Sequence, residues 1–300
     1  MFTLFVLTAV LGTAFVIYEV TDDDDTASSD SETGQESGQG GEQGNDIITL
    51  SAGNDLYVGG SEDDTIEGLA GDDSLGGESG YDSISGGEGD DLIEAGHGHD
   101  TVSGGEGDDR VSGGRGHDLI DLGAGNDLYD SESSYNGEAG DDTVHGGAGD
   151  DEIFDNTGYN SLSGGDGNDQ LGASDSNTDL DWSTQDTLDG GAGDDTLWGD
   201  NGDLMIGGEG ADRFIGQFEF DNNNDPVVIQ DFDPNEDALL INLRSTQLSD
   251  SPDGPFDPDA SFDSTDNTIT ISTGGASVAV LQNMTEEDLA ELNIVLQRIT

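Results

Sequence analysis

From Leu50 to Asp130 the chain keeps a frame of nine residues without a slip. The clearest copy is Gly86-Gly87-Glu88-Gly89-Asp90-Asp91-Leu92-Ile93-Glu94, and Gly113 to Asp121, Gly146 to Phe154, Gly164 to Gly172, Gly190 to Trp198 and Gly207 to Ile215 repeat it. The pattern reads G-G-x-G-x-D-x-U-x, with U a large apolar residue. A unit this short cannot bury its own apolar residue, so successive units must stack and share one core. That requirement leaves few folds open besides a solenoid.

Position 8 supplies the core: Tyr57, Ile66, Leu75, Ile84, Ile93, Val102, Val111, Ile120 and Tyr129, then Val144, Ile153, Leu162, Leu171, Leu188, Leu197, Met205 and Phe214. Every one is apolar or aromatic. With positions 1 to 6 read as a turn and 7 to 9 as a short strand, two units close one coil. Units two apart then stack at about 4.8 Å, the spacing of a sheet. Glycines at positions 1, 2 and 4 permit backbone angles closed to other residues and let peptide carbonyls crowd toward one point.

Position 6 brings a short anionic side chain to that point. Its members are Asp55, Asp64, Asp73, Asp82, Asp91, Asp100, Asp109, Asp118 and Asp127, then Asp142, Asp151, Asp169, Asp186, Asp195, Asp203 and Asp212. Stacked along an edge they would repel one another. A hard divalent cation that takes six to eight oxygens at ~2.3–2.6 Å relieves this, which points to Ca²⁺. Asn160 fills the slot in its unit and should weaken the sites it touches. Glu62 stands where its unit expects the position-4 glycine, so that turn is also suspect.

Composition agrees. The chain of 300 residues has 69 acidic and five basic side chains, a formal charge of -64, and only 31% hydrophobic residues. Such a polymer does not collapse unaided. It repels phosphate, which excludes nucleic acid as a direct partner. Without cysteine, neither disulfides nor thiolate metal sites contribute.

Residues 1–20 are nearly all apolar, with no charge before Glu19, and as a helix the first eighteen would span roughly 27 Å. They read as a membrane anchor or an export signal. Residues 21–45 read as an acidic flexible linker and 46–215 as the repeat block, interrupted at Ser131 to Asn136 and at Ala173 to Leu180. Residues 216–300 read as a small β-rich cap. Strands are expected at Val227 to Ile229, Ala238 to Leu243, Thr268 to Ile271 and Ser277 to Leu281. A helix is expected over Leu289 to Leu296, with Thr285 as N-cap and Asp288 at the Glu/Gln position of the capping box.

The repeat block resembles the RTX (haemolysin-type) calcium-binding family, whose fold is a right-handed parallel β-roll. Gly207 to Phe214 is similar to the unit that commonly ends such arrays, and Ile229 to Asp237 to the segment that follows it in secreted members. The resemblance implies export by a type I system, folding on millimolar calcium outside the cell, and a secreted or extracellular protein. The hydrophobic N-terminus is not part of that family pattern.

No H-E-x-x-H, G-x-S-x-G or P-loop occurs, and only 45 residues precede the repeats, so a non-enzymatic structural or surface role is expected. The alternative is an adhesin or glycan-binding protein that uses the calcium-loaded roll as scaffold, with Trp182, Trp198, Tyr135 and Tyr159 as its aromatic surface. His99 and His117 share position 5 two units apart, near His97, and are expected to stack on one edge. Exposed turn variation is a simpler reading of them than a zinc or copper site. His145, at position 9, is expected to face solvent.

Overall fold

The computed structural model describes residues 6–8, 14–16, 37–40, 44–131, 140–173, 185–219, 225–244, 259–273, 276–292 and 294–299. Most of the apolar segment 1–20 and of the linker 21–45 therefore lies outside the described residues. Within them, Val6–Thr8 and Ala14–Val16 pair antiparallel. Among the described residues no helix is long and apolar enough to cross a membrane.

The repeats fold as a parallel β-roll of two facing sheets. One sheet holds Ile47–Thr49, Thr65–Ala70, Ser83–Glu88, Thr101–Glu106, Leu119–Ala124, Thr143–Ala148, Ser161–Asp166, Thr187–Ala192 and Leu204–Glu209 in that spatial order. The other alternates with it along the chain, from Leu56–Ser61 through Leu92–His97 and Arg110–Arg115 to Arg213–Glu219. Each coil thus contributes one strand to each sheet. Val102 pairs with Ile84 on one side and Ile120 on the other, and Ile93 pairs with Leu75 and Val111.

The strands are longer than the expected three residues. Leu92–His97 runs from position 7 of one unit to position 3 of the next, six residues, and most others match it. The glycine pair belongs to the sheet because glycine meets glycine in the adjacent coil, as Gly105 meets Gly87 and Gly123, and the ladder carries on through them. Only positions 4 to 6 are left to turn the chain.

Along each strand, positions 6, 8 and 1 face inward. All the expected position-8 residues are buried, Tyr57 being the most exposed at 9%. They form one continuous cluster with Phe218, Val227, Ile229, Phe232, Leu239 and Ile241 of the C-terminal region. Full burial of each such side chain contributes roughly 1.5–3 kcal/mol, so the column outweighs any single turn.

Both interruptions leave the register intact. Tyr129 pairs with Ile153 and Leu171 with Leu197, as if no residues had been inserted. Residues 132–139 and 174–184, where the insertions fall, lie outside the described residues.

The C-terminal region continues both sheets. Val227–Ile229 pairs parallel with Leu204–Glu209, and Ala276–Leu281 pairs parallel with Val227–Ile229. An antiparallel turn of direction then adds Thr268–Thr273 and Asp259–Asp263, the latter not anticipated. The expected strands over 227–229, 238–243, 268–271 and 277–281 are all present. The expected helix shrinks to Asp288–Glu291. The Thr285–Asp288 contact does form, the Thr285 N–H and hydroxyl both donating to Asp288 Oδ2 at 2.7 Å, but the helix starts at Asp288 with Glu287, not Thr285, as its N-cap. Beyond it, Ile294–Ile299 becomes a strand against Ala238–Arg244, because pairing on the open sheet edge outcompetes a second helical turn.

Candidate metal centre

Each position-6 aspartate named from the sequence is buried, from Asp203 at 0% to Asp55 at 7% exposure. They line the inside of the turns rather than projecting from an outer edge. Their carboxylates form two columns in which Oδ1 accepts the backbone N–H of the aspartate one coil earlier. Asp55 N–H donates to Asp73, Asp73 to Asp91, Asp91 to Asp109 and Asp109 to Asp127, each at 2.7–2.8 Å. On the opposite edge Asp64, Asp82, Asp100, Asp118 and Asp142 repeat this at 2.8–2.9 Å. The step between partners is normally 18 residues, lengthens to 24 at the first interruption, and returns to 18 beyond it.

The second oxygen of the carboxylate is left without a donor. From Asp64 to Asp127 every position-6 Oδ2 is buried and unbonded, as are those of Asp151, Asp169 and Asp195. A buried carboxylate oxygen with no partner carries a large desolvation cost. Asp55 is an exception at the start of its column, where Ser51 donates both its N–H and its hydroxyl to Oδ2.

The orphan oxygens share a cradle with peptide carbonyls. A Cβ added at Gly104 would collide with Asp109 Oδ2 and with the carbonyl oxygen of Leu122, one coil on. At Gly86, Gly146, Gly164 and Gly190 it would meet Asp91, Asp151, Asp169 and Asp195 Oδ2 together with the carbonyls of Gly104, Gly164, Gly190 and Gly207. The position-1 glycine therefore keeps open a space walled by carboxylate and carbonyl oxygen, the donor set of a hard cation. Among the described residues no three His, Asp or Glu side chains converge on one point. A bound cation must then take backbone carbonyls along with single carboxylates from the ladder.

The electrostatics tell the same story. Asp100, Asp109, Asp151 and Asp195 are pushed up to about 7, and Asp73 and Asp118 to about 6. Burial is the largest cause. The N–H on Oδ1 pulls the other way, and the aspartates of adjacent coils add to the rise.

Position 5 builds a second, exposed ladder of opposite polarity. There the later coil donates: Asp108 N–H to Asp90 Oδ1 at 2.9 Å, Asn126 N–H to Asp108 Oδ1 at 2.8 Å and Asp150 N–H to Asn126 Oδ1 at 2.9 Å. On the other edge His99 and His117 stack as expected, with ring centroids 4.9 Å apart and planes at 9°, and Tyr81 lies 5.2 Å from His99. Nδ1 of His99 accepts the His117 N–H and Nδ1 of His117 accepts the Asp141 N–H, both at 2.8 Å. Each neutral ring must then carry its proton on Nε2, so neither nitrogen is free for a transition metal. The histidines serve the turn ladder. His145 is exposed on its strand, as expected.

Several sites depart from the pattern. Glu62 does sit in the left-handed region, at φ 80°, and so do Leu69 at 81° and Glu78 at 70°, two position-2 residues not flagged from the sequence. The turns keep their shape at the cost of strain. Asp46, nine residues before Asp55, begins a column by donating its N–H to Asp64 Oδ1 at 2.8 Å, and extending the frame upstream finds it. At the far end Asp237 accepts the Asp212 N–H at 2.9 Å, and Asp231 accepts the N–H groups of Gly207 and Gly208 at 2.9 and 2.8 Å. The repeat carries no signal for these two; only their place in the Ile229 to Asp237 segment does. Of the four aromatics read as a surface, Tyr159 is exposed at a turn and Trp198 packs on the outer strand face with its ring centroid 5.9 Å from that of Phe154, while Tyr135 and Trp182 lie outside the described residues.

A family model described as the RTX calcium-binding nonapeptide repeat (four copies) matches residues 41–66, 50–84, 67–102, 77–111, 95–129, 135–154, 146–177 and 183–213. No curated protein matches the chain. Among solved structures, the chain is similar to the AlgE6R3 subunit of the Azotobacter vinelandii mannuronan C5-epimerase at 25% identity and a TM-score of 0.28, over 52% of this chain and 77% of that one. It is also similar to the extracellular lipase LipA of Serratia marcescens at 14% identity and a TM-score of 0.23, over 85% of this chain and 40% of the lipase.

Proposed function

The chain belongs to the RTX calcium-binding nonapeptide-repeat family, and from that premise we propose that it is an exported, non-enzymatic protein whose position-6 aspartates hold Ca²⁺ and fold only when they do so. The observation that carries this is the row of buried, donor-less Oδ2 atoms beside open glycine cradles. Asp64, Asp73, Asp82, Asp91, Asp109, Asp118, Asp151, Asp169 and Asp195 would each offer Oδ2 to an ion over a glycine cradle while Oδ1 stays on the ladder; Asp100 and Asp127 have the same free Oδ2, but Ala95 and Leu122 stand at position 1 of their units. Asp55, Asp142, Asp186, Asp203 and Asp212 would complete the columns at their ends and interruptions.

Calcium supplies positive charge that a chain of net charge -64 cannot supply itself. Because the cradle exists only when two coils are stacked, binding free energy becomes folding free energy. Sites of this kind, made of single carboxylates and carbonyls, suit the millimolar calcium outside cells rather than the cytosolic range. That is the support for export. The carboxylates that might otherwise serve as acid–base pairs are engaged in the ladder, which supports a structural or surface role over catalysis. Residues 1–20 are the candidate tether or export signal, and the N-terminal residue of protein recovered from culture medium distinguishes the two.

Circular dichroism of the full chain tests the central claim. The expected result is a disordered spectrum in EGTA and cooperative growth of β signal at millimolar Ca²⁺, with Mg²⁺ a poor substitute. A spectrum that does not change between the two conditions overturns it.

A further inference from the structure

At the first interruption the repeat loses its carboxylate, and the fold puts another one back. Asn160 occupies position 6 of its unit. Its Oδ1 accepts the Asp142 N–H at 3.0 Å, as the ladder requires, but its Nδ2 donates to the Thr157 carbonyl at 3.1 Å. An amide nitrogen therefore stands where every regular unit offers a free carboxylate oxygen. Five residues earlier in the same unit, at inward-facing position 1, the usual glycine is replaced by Asp155.

Asp155 is 0% exposed. Its Oδ1 accepts the Ser131 hydroxyl at 2.7 Å and the Thr157 N–H at 3.2 Å, and its Oδ2 is buried with no donor. Its near neighbour is Asp142, 4% exposed, whose Oδ2 accepts the Tyr129 hydroxyl at 3.1 Å. Two carboxylates and two hydroxyls thus meet in the interior, with no positive side chain bonded to them among the described residues.

We propose that Asp155 supplies the carboxylate that Asn160 lacks, so that Asp142 and Asp155 hold a divalent cation inside the interrupted coil, at a site the nonapeptide does not encode. The inference rests on the calcium-binding reading above. It reverses the expectation from Asn160 alone, since the break becomes a site of different construction rather than a gap. The Ser131 and Tyr129 hydroxyls, donating to Asp155 and Asp142, orient the two carboxylates. Carboxylate and hydroxyl oxygens are hard donors, which selects calcium over softer metals.

The test counts calcium ions bound by the full chain, by titration calorimetry and by metal analysis after gel filtration. Asp155→Asn should bind one ion fewer per chain while reaching the same β signal at saturating calcium. The double variant Asp155→Gly with Asn160→Asp restores the regular pattern and should regain the lost ion. An unchanged count in Asp155→Asn overturns the proposal, because a structural carboxyl pair sharing a proton predicts that result. Should Asp155→Asn not fold, the double variant decides: a count equal to the parent's or one short of it supports the site, since Asp155 has been removed, and a count one higher than the parent's overturns it. A parent chain that binds no calcium at all would instead sink the function proposed for the whole roll.

Discussion

The backbone N–H of Asp91 donates to Oδ1 of Asp109 at 2.8 Å, while Oδ2 of that same carboxylate is buried and accepts nothing. One oxygen ties two coils together and the other is held in reserve. The division of labour separates what the protein can do unaided from what it needs an ion to complete.

Replacing Asp109 by Asn keeps the Oδ1 acceptor and removes the charge. The calcium concentration at the folding midpoint should rise roughly tenfold, about 1.4 kcal/mol, while the metal-free chain should be no less ordered, since a buried unpaired charge has gone. Asp108→Asn, on the exposed ladder next door, should shift stability by less than about 0.5 kcal/mol. Calcium titrations followed by circular dichroism compare the two. Equal shifts would show that the inward column has no special role.

Protons should partly stand in for calcium. Asp100, Asp109, Asp151 and Asp195 near 7, with Asp73 and Asp118 near 6, bind protons more tightly folded than unfolded. For an acid raised in this way, the stabilisation is full below the unfolded value of about 4 and is lost as pH rises through 6 to 7. In EGTA, β signal should therefore grow as pH is lowered from 8 toward 5, and calcium affinity should fall over the same range as protons compete. β signal in EGTA that grows with rising pH contradicts this.

Glycine at position 1 is there for the cradle. Gly104→Ala places a methyl against Asp109 Oδ2 and the Leu122 carbonyl, and should weaken binding at that coil and cost several-fold in the calcium midpoint, making it resemble the units that carry Ala95 or Leu122 at position 1. Gly76→Ala, at outward position 9, meets only ordinary contacts with Val58 at 3.6 Å and should be neutral within about 0.5 kcal/mol. Thermal melts of both in saturating calcium, with a shared effect or none, tell whether the open space matters.

Strain at position 2 should be removable. Leu69 and Glu78 hold φ near +81° and +70° where most units have glycine. Leu69→Gly and Glu78→Gly should each stabilise the calcium-loaded roll by up to about 1 kcal/mol, the left-handed penalty less the entropy of a freer unfolded chain. A lowered melting temperature in both would mean that Leu69 and Glu78 side chains contribute contacts worth more than the strain.

Much of this was legible in the chain itself. A period of nine and two units per coil dictate that residues 18 apart are neighbours, so the membership of the Ile84, Val102, Ile120 column and of the Asp91, Asp109, Asp127 column follows from counting. The stack of His99 on His117 follows too. Strand length was misread because glycine pairs look like turns locally, whereas Gly105 between Gly87 and Gly123 is held by its neighbours in a sheet. The end of the chain was misread for the same reason: Ile294–Ile299 has a helical pattern only until Ala238–Arg244 offers it an edge.

What counting cannot reach is any relationship outside the period. Whether a position-6 carboxylate faces in or out, which of its oxygens is bonded, and that the position-5 ladder runs in the opposite sense all depend on how closed coils sit on one another. Asp155 shows the limit most plainly. It is one aspartate among many in the sequence, and becomes a partner of Asp142 and Ser131 only because an interrupted coil still closes in register and turns position 1 inward. Repetition sets the columns, since a fixed step brings like to like; the chemistry of each exception is decided by the contacts that stacking makes.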